Sequence, residues 1–191
     1  FHVGLTSQDE AAPHGAQRIL RGAIDQGQLG VEYRPVWKSG NLEPCGFSAQ
    51  LLWVGCETNA RDRSDGLEIA MEEWLVETVM RDMIGWPAHL CVALSLSMRT
   101  IARRGFANRL GERISQAGLT PERFVLEVDF RALGRASGEG AEDNIAALRA
   151  IGVRIASADL VSGAFDIARA ASSPVDCWRI DTARLRRTAA A

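Results

Sequence analysis

The sequence predicts an α/β fold of parallel strand–helix units, opened by an antiparallel hairpin. Two patterns carry that expectation. From residue 69 onward, apolar residues switch repeatedly between helical spacing and short strand-like runs, as in parallel strands joined by helical crossovers. Before that, two alternating segments flank the short turn Lys38-Ser39-Gly40-Asn41, and a connection this brief implies antiparallel pairing. The chain has 191 residues, 47% hydrophobic and 24% charged. That is ordinary globular composition and suits one domain.

Residues 1–14 are polar and irregular and read as a linker or frayed terminus ahead of a domain over 15–191. Residues 15–26 set Ile19, Leu20, Ala23 and Ile24 at helical spacing, and the glycines from Gly27 to Gly30 interrupt them. Residues 31–36 alternate as a strand does. In the second strand, 46–53, Phe47, Ala49, Leu51 and Trp53 share one face and Ser48, Gln50 and Leu52 the other. Residues 69–84 predict a helix with Leu75, Val76, Val79, Met80 and Met83 on one side. Residues 90–97 predict a strand ending in Ser95-Leu96-Ser97. Residues 100–117 predict a single helix through Ile101, Phe106, Leu110 and Ile114, with Gly118 as its C-cap. A strand at 124–130, a Gly/Ser/Ala loop at 134–140, a helix at 142–151 stopped by Gly152, and strands at 153–160 and 175–180 around a helix at 165–171 complete the pattern.

In parallel α/β folds, ligands sit beyond the carboxyl ends of the strands. Polar residues gather there: Ser95, Ser97, Glu127, Asp129, Asp159, Arg179 and Asp181. Periodicity leaves an open doubly wound sheet and a closed barrel equally available.

Several function classes are disfavoured. Net charge is −2, so no nucleic-acid footprint is expected. No apolar run approaches the roughly 20 residues of a membrane helix, and the first residues do not have the form of a signal peptide. Cys45, Cys56, Cys91 and Cys177 are scattered, and His2, His14 and His89 lie far apart. Structural thiols in a reducing, cytoplasmic setting are expected, without a zinc site. No G-x-G-x-x-G or Walker sequence opens a helix, and no cofactor is expected. The basic side chains Arg99, Arg103, Arg104 and Arg109 read as a solvated helix face. Trp37, Trp53, Trp74, Trp86 and Trp178 read as packing residues.

Six segments in order then narrow the field. They are Tyr33-Arg34-Pro35-Val36; Ser48-Ala49-Gln50-Leu51-Leu52-Trp53; Ala93-Leu94-Ser95-Leu96-Ser97; Leu126-Glu127-Val128-Asp129-Phe130; residues 152–163, Gly-Val-Arg-Ile-Ala-Ser-Ala-Asp-Leu-Val-Ser-Gly; and residues 174–181, Pro-Val-Asp-Cys-Trp-Arg-Ile-Asp. Together they resemble the EAL domain, the bacterial cyclic di-GMP phosphodiesterase module. The second falls where that family carries its Glu-Ala-Leu-Leu-Arg-Trp signature. The likeness spans about residues 18–181. It implies a TIM-like barrel with an antiparallel first strand, and relatives that commonly form homodimers. The stretch between Trp53 and Trp74 is shorter than the family's, and its final β/α units have no counterpart before Ala191. A TIM barrel takes roughly 250 residues. A truncated open barrel, closure by another element and a longer natural chain all remain available.

The resemblance also implies a loss of chemistry. Two-metal phosphodiester cleavage needs oxygen ligands, mostly carboxylates. Ser48 stands where the family has its signature glutamate, Ser95 where it has an asparagine, and Ala158 where it has the first of two aspartates. Arg179 replaces a lysine that supports the attacking water. Among the family's carboxylates, Glu127 and Asp159 are retained as remnant ligands. Leu52 replaces a phosphate-binding arginine and Gln50 a leucine, leaving Arg34 and Arg179 as the nearest candidate nucleotide contacts. The leading expectation is a non-catalytic binding or scaffolding module with a protein partner. A cyclic di-GMP receptor without hydrolysis comes second, and a residual phosphodiesterase third. Without metals, two readings of Arg179 stand side by side: it pairs with Glu127 or Asp159, because buried acids are rarely left unpaired, or it points to solvent.

Overall fold

Six strands pair in sequence order into one sheet. β1 (Leu29–Trp37) runs antiparallel to β2 (Pro44–Trp53). The later pairings are all parallel: β2 with β3 (Cys91–Ser95), β3 with β4 (Phe124–Val128), β4 with β5 (Arg154–Ser157) and β5 with β6 (Cys177–Trp178). The hairpin followed by parallel units is the arrangement the sequence predicts. This structure, a computed structural model, describes residues 14–38, 43–54, 65–128, 139–157 and 175–178. Its helices are α1 (His14–Asp25), α2 (Asp65–Met83), α3 (Met98–Ile101), α4 (Phe106–Gln116) and α5 (Glu139–Ala150), with a 3-10 turn at Pro121–Arg123. The expected helix at 165–171 and the later parts of the last two strands lie outside the described residues.

One face of the sheet is apolar and covered by helices. Val92, Leu94, Leu126, Val128 and Ile155 alternate onto it and join Leu75, Val76, Val79, Met80 and Met83 of α2. Ile101 of α3, Phe106, Leu110 and Ile114 of α4, and Ile145 and Leu148 of α5 complete that core. Each such side chain contributes about 1.5–3 kcal/mol when buried. A smaller cluster of Ala16, Leu67 and Met71 seats α1 against α2, Leu51 and Trp53. The hairpin is fastened separately. The Tyr33 hydroxyl donates to the Asp82 carboxylate, and Trp86 meets Tyr33 edge-on at 5.1 Å and Phe47 at 5.3 Å. Burial first, then the bond to Asp82 and its charge, push the Tyr33 hydroxyl well above its ordinary pKa.

Three expectations are corrected. Residues 100–117 do not form one helix, because Gly105 adopts φ 69° and separates α3 from α4. Only glycine takes that left-handed conformation without strain. The expected strand to 97 stops at Ser95, since Ser97 becomes the N-cap of α3. The loop expected through Gly140 ends earlier, because α5 already includes Glu139 and Gly140. Gly118, at φ 67°, ends α4 as expected.

The broken helix frees backbone groups that Asn144 of α5 satisfies. Its amide nitrogen donates to the carbonyls of Ile101 at 2.8 Å and Arg103 at 2.9 Å. Its oxygen accepts from Ala107 N–H at 3.2 Å. Asn144 is 8% exposed, so water cannot readily replace these bonds. Asn144→Leu should therefore cost about 3 kcal/mol in urea denaturation.

Asp176 performs a related task beside β6. Its carboxylate accepts from Ile155 N–H at 2.8 Å and from the Arg149 guanidinium at 2.8 Å. Burial works to raise its pKa, but these bonds and the charges of Arg149 and Arg154 outweigh it and hold the carboxyl below its ordinary 3.8. A depressed folded value means stability present above 3.8 and lost as pH falls through the folded value. Asp176→Asn should cost about 1 kcal/mol at pH 7, allowing for solvent screening. The gap from wild type should close in denaturation curves taken below the ordinary value.

Candidate functional site

Parallel register decides which polar side chains meet. Ser95 lies opposite Glu127, Glu127 opposite Ala156, and Ala156 opposite Cys177. Paired residues share a face, so these four form one row across β3 to β6, on the side away from the helix-packed core. Glu127 is 7% exposed, and the Ser95 hydroxyl donates to its carboxylate. Ser48 lies opposite Ala93, one step behind Ser95 on the same face, and has no exposed surface.

Further along β2, Gln50 is half-buried and Leu52 is 49% exposed. Across the hairpin, Arg34 sits opposite Ser48 and Glu32 opposite Gln50. Arg34 and Glu32 pair at 2.9 Å, with both side chains well exposed, so the pair holds Arg34 only weakly. The structure thus joins Ser95 to Glu127 and sets Ser48, Gln50, Leu52 and Arg34 on the same face of the sheet. Ala158, Asp159 and Arg179 lie outside the described residues, as do Asp129 and Asp181.

Two members of this face escaped the sequence reading. Cys177 sits level with Glu127. Burial chiefly pushes its thiol pKa up, with the carboxylates of Asp176 and Glu127 and the Cys45 thiol adding to the effect and Arg154 opposing it. A thiol so raised is a poor nucleophile and a poor metal ligand at neutral pH. Arg154 lies opposite Val125, one step behind Glu127, and its buried Nε has no hydrogen-bond partner. Strand alternation from Ala156 and Arg179 would have marked both. The arginines read as a solvated face are also more engaged than expected. Arg99 pairs with Glu68 at 3.4 Å, Arg103 pairs with Glu73, and Arg109 donates to the Arg104 carbonyl at 2.7 Å. Trp37, read as packing, is 54% exposed at the last position of β1, opposite Pro44.

Among the described residues, no three His, Cys, Asp or Glu side chains converge as a cation cage, and no helix is long and apolar enough to cross a membrane. The row offers one carboxylate bonded to a hydroxyl, at the edge where parallel α/β folds bind ligands.

The sequence profile of the EAL domain matches residues 17–190. The chain belongs to the EAL domain family. This EAL domain is 29% identical over 172 residues to an uncharacterized signaling protein of Caulobacter vibrioides, covering 86% of the chain and 21% of that protein. It is 24% identical over 173 residues to the uncharacterized protein y4lL of Sinorhizobium fredii, covering 85% of the chain and 20% of that protein. The chain therefore spans about a fifth of the length of these curated relatives. Among solved structures it resembles the PaMucR phosphodiesterase in complex with c-di-GMP, with TM-score 0.72 and 23% identity over 92% of this chain and 75% of that one. It also resembles the FimX EAL domain of Xanthomonas citri in complex with c-diGMP, with TM-score 0.69 and 15% identity over 88% of this chain and 70% of that one. These likenesses establish the TIM-barrel-like architecture of the EAL fold, with its mixed sheet.

The Ser95–Glu127 bond gives a direct test of the site. Ser95→Ala removes a donor from a buried carboxylate and should cost about 1.5 kcal/mol in chemical denaturation. Ser95→Asn, which restores a donor, should recover most of that loss.

Proposed function

We propose that this EAL domain is a non-catalytic module of bacterial cyclic di-GMP-related signalling, acting by binding or scaffolding through a protein partner. One observation carries the reading. At the position of the signature glutamate stands Ser48, a fully buried hydroxyl, while the retained Glu127 takes a hydrogen bond from Ser95. Hard divalent cations draw on charged oxygen donors, and two neutral hydroxyls with the two retained carboxylates, Glu127 and Asp159, are a poor donor set for a pair of them. Ala158 at the first aspartate position extends the deficit. Charge balance then favours Arg179 pairing with Glu127 or Asp159, since guanidinium stays cationic and forms paired bonds to carboxylates. A cytoplasmic location and a homodimer belong to the same reading.

The second reading is a receptor that binds cyclic di-GMP without cleaving it. It is supported by the likeness to domains solved with that nucleotide. Leu52 weakens it, because an arginine at that place would partner a phosphate.

Two measurements separate these readings. With Mn²⁺ and cyclic di-GMP, no linear product should form above the metal-only background. Steady product release that Glu127→Gln abolishes would establish a residual phosphodiesterase instead. Titration calorimetry with cyclic di-GMP should give no saturable heat, and micromolar binding would favour the receptor. The triple substitution Ser48→Glu, Ala158→Asp and Arg179→Lys should restore little turnover. Ser48 has no exposed surface, and a carboxylate introduced there meets a desolvation cost.

A further inference from the structure

The turn that carries Ser95 into α3 is held by a carboxylate from another helix. Ser97 is the N-cap of α3, and its hydroxyl accepts from Thr100 N–H at 3.4 Å. In a capping box, the residue at the third helical position returns a carboxylate to the N-cap N–H. That position is Thr100, which has none to offer. Glu72 of α2 supplies it instead. Glu72 Oε1 accepts from Ser97 N–H at 2.8 Å, and Oε2 accepts from the Ser97 hydroxyl at 3.0 Å. The buried Thr100 hydroxyl bonds the same carboxylate. The box is thus closed across two elements rather than within one helix.

The charged neighbours are mostly engaged elsewhere. On α2, Glu68 pairs with Arg99 and Glu73 with Arg103. On α4, Arg109 and Arg113 line the same small cavity as Glu72, Glu73 and Thr100. Arg109 donates to the Arg104 carbonyl, and Arg113 pairs with Glu77 at 3.4 Å. Ser97 and Thr100, the groups facing Glu72 from the turn, do not titrate. Burial is the main cause that raises the Glu72 pKa above its ordinary 4.5, with Glu68 adding to it and the bonds from Thr100 and Ser97 opposing it.

We propose that Glu72 is a proton-operated latch on the β3–α3 turn, tight when ionised and loose when protonated. An ionised carboxylate only accepts, so it takes both Ser97 donors at once. Protonation turns one oxygen into a donor, forces the Ser97 hydroxyl to reorient, and leaves the amide a neutral acceptor. Charge-assisted hydrogen bonds are roughly twice as strong as neutral ones. Ser95 lies two residues upstream and donates to Glu127, so loosening the turn reaches the strand-end row. This device does not depend on whether that row binds a nucleotide.

Latch and fold respond to acid in opposite senses. A raised folded-state pKa means the whole fold gains stability as Glu72 takes up its proton, on lowering pH through the window between the raised value and the ordinary one. The turn alone loosens in that window, because Glu72 stays buried on α2 when the turn opens, so opening removes only the bonds from Ser97 and Thr100 that favour its ionised form. The test is amide hydrogen exchange of the intact chain, followed by NMR against pH and corrected for intrinsic rates. The probes are Ile101 and Ala102, whose N–H groups donate to the Ser97 and Met98 carbonyls. Their protection should fall about tenfold on acidification, with a midpoint above 4.5. In Glu72→Gln, which keeps the size and an acceptor, the protection should not vary across that range, and the amide spectrum reports that the variant folds. Flat protection in the wild type, a midpoint at or below the ordinary value, or the same loss persisting in Glu72→Gln would each overturn the latch.

Discussion

β2 is the strand on which both halves of the sheet depend. It pairs antiparallel with β1 on one side and parallel with β3 on the other. At Gly46 its backbone comes so close to β3 that an added Cβ would stand 2.2 Å from the Cys91 carbonyl oxygen. No side chain fits there, and only glycine permits the approach. That contact lies at the head of the register that sets Ser48 opposite Ala93. The register then propagates across the sheet, because each parallel strand is aligned by its neighbour. The row of Ser95, Glu127, Ala156 and Cys177 is set by that strand-to-strand register.

α2 is the element that reads this sheet from outside. Its C-terminal half locks the hairpin through Asp82, while Trp86 just beyond it packs on Tyr33 and Phe47. Arg123 fixes the exit from α2 by donating to the Leu90 carbonyl at 3.0 Å and the Pro87 carbonyl at 3.3 Å. The acidic side of α2 meets α3, α4 and the break between them through Glu68, Glu73 and Glu77, each paired with an arginine. Exposed pairs of this kind contribute little singly. Their value here is placement, because they leave the more buried Glu72 to hold the turn that follows Ser95.

The outline of the fold was legible because it rests on local signals. A short turn gives a hairpin, and alternation of apolar periods gives parallel units. The burial of Leu75, Val76, Val79, Met80 and Met83 on one side of α2 follows directly from their spacing. The break between α3 and α4 was less visible, although the five-residue step from Ile101 to Phe106 is too long for a continuous helical stripe. The pairing of Ser95 with Glu127 was anticipated as two residues at strand ends, but their bond depends on register between strands. Register is a non-local property that no segment encodes alone. Glu72 was unreadable for the same reason, since its partner Ser97 lies on another element. Cys177 and Arg154 stand at no ligand position of the family's motifs, and their place beside Glu127 follows from the register of β4, β5 and β6.

Charge at the strand ends decides whether this domain can hold a metal pair. Ser48 brings a neutral hydroxyl to the position of the family's signature glutamate and Ser95 one to that of its asparagine, while Glu127 accepts a hydrogen bond from Ser95. Anomalous diffraction from crystals grown with Mn²⁺ and cyclic di-GMP tests this most directly. No pair of manganese peaks should appear beside Glu127. Two peaks roughly 4 Å apart, as in two-metal hydrolases, with Glu127 as a ligand, would contradict that expectation.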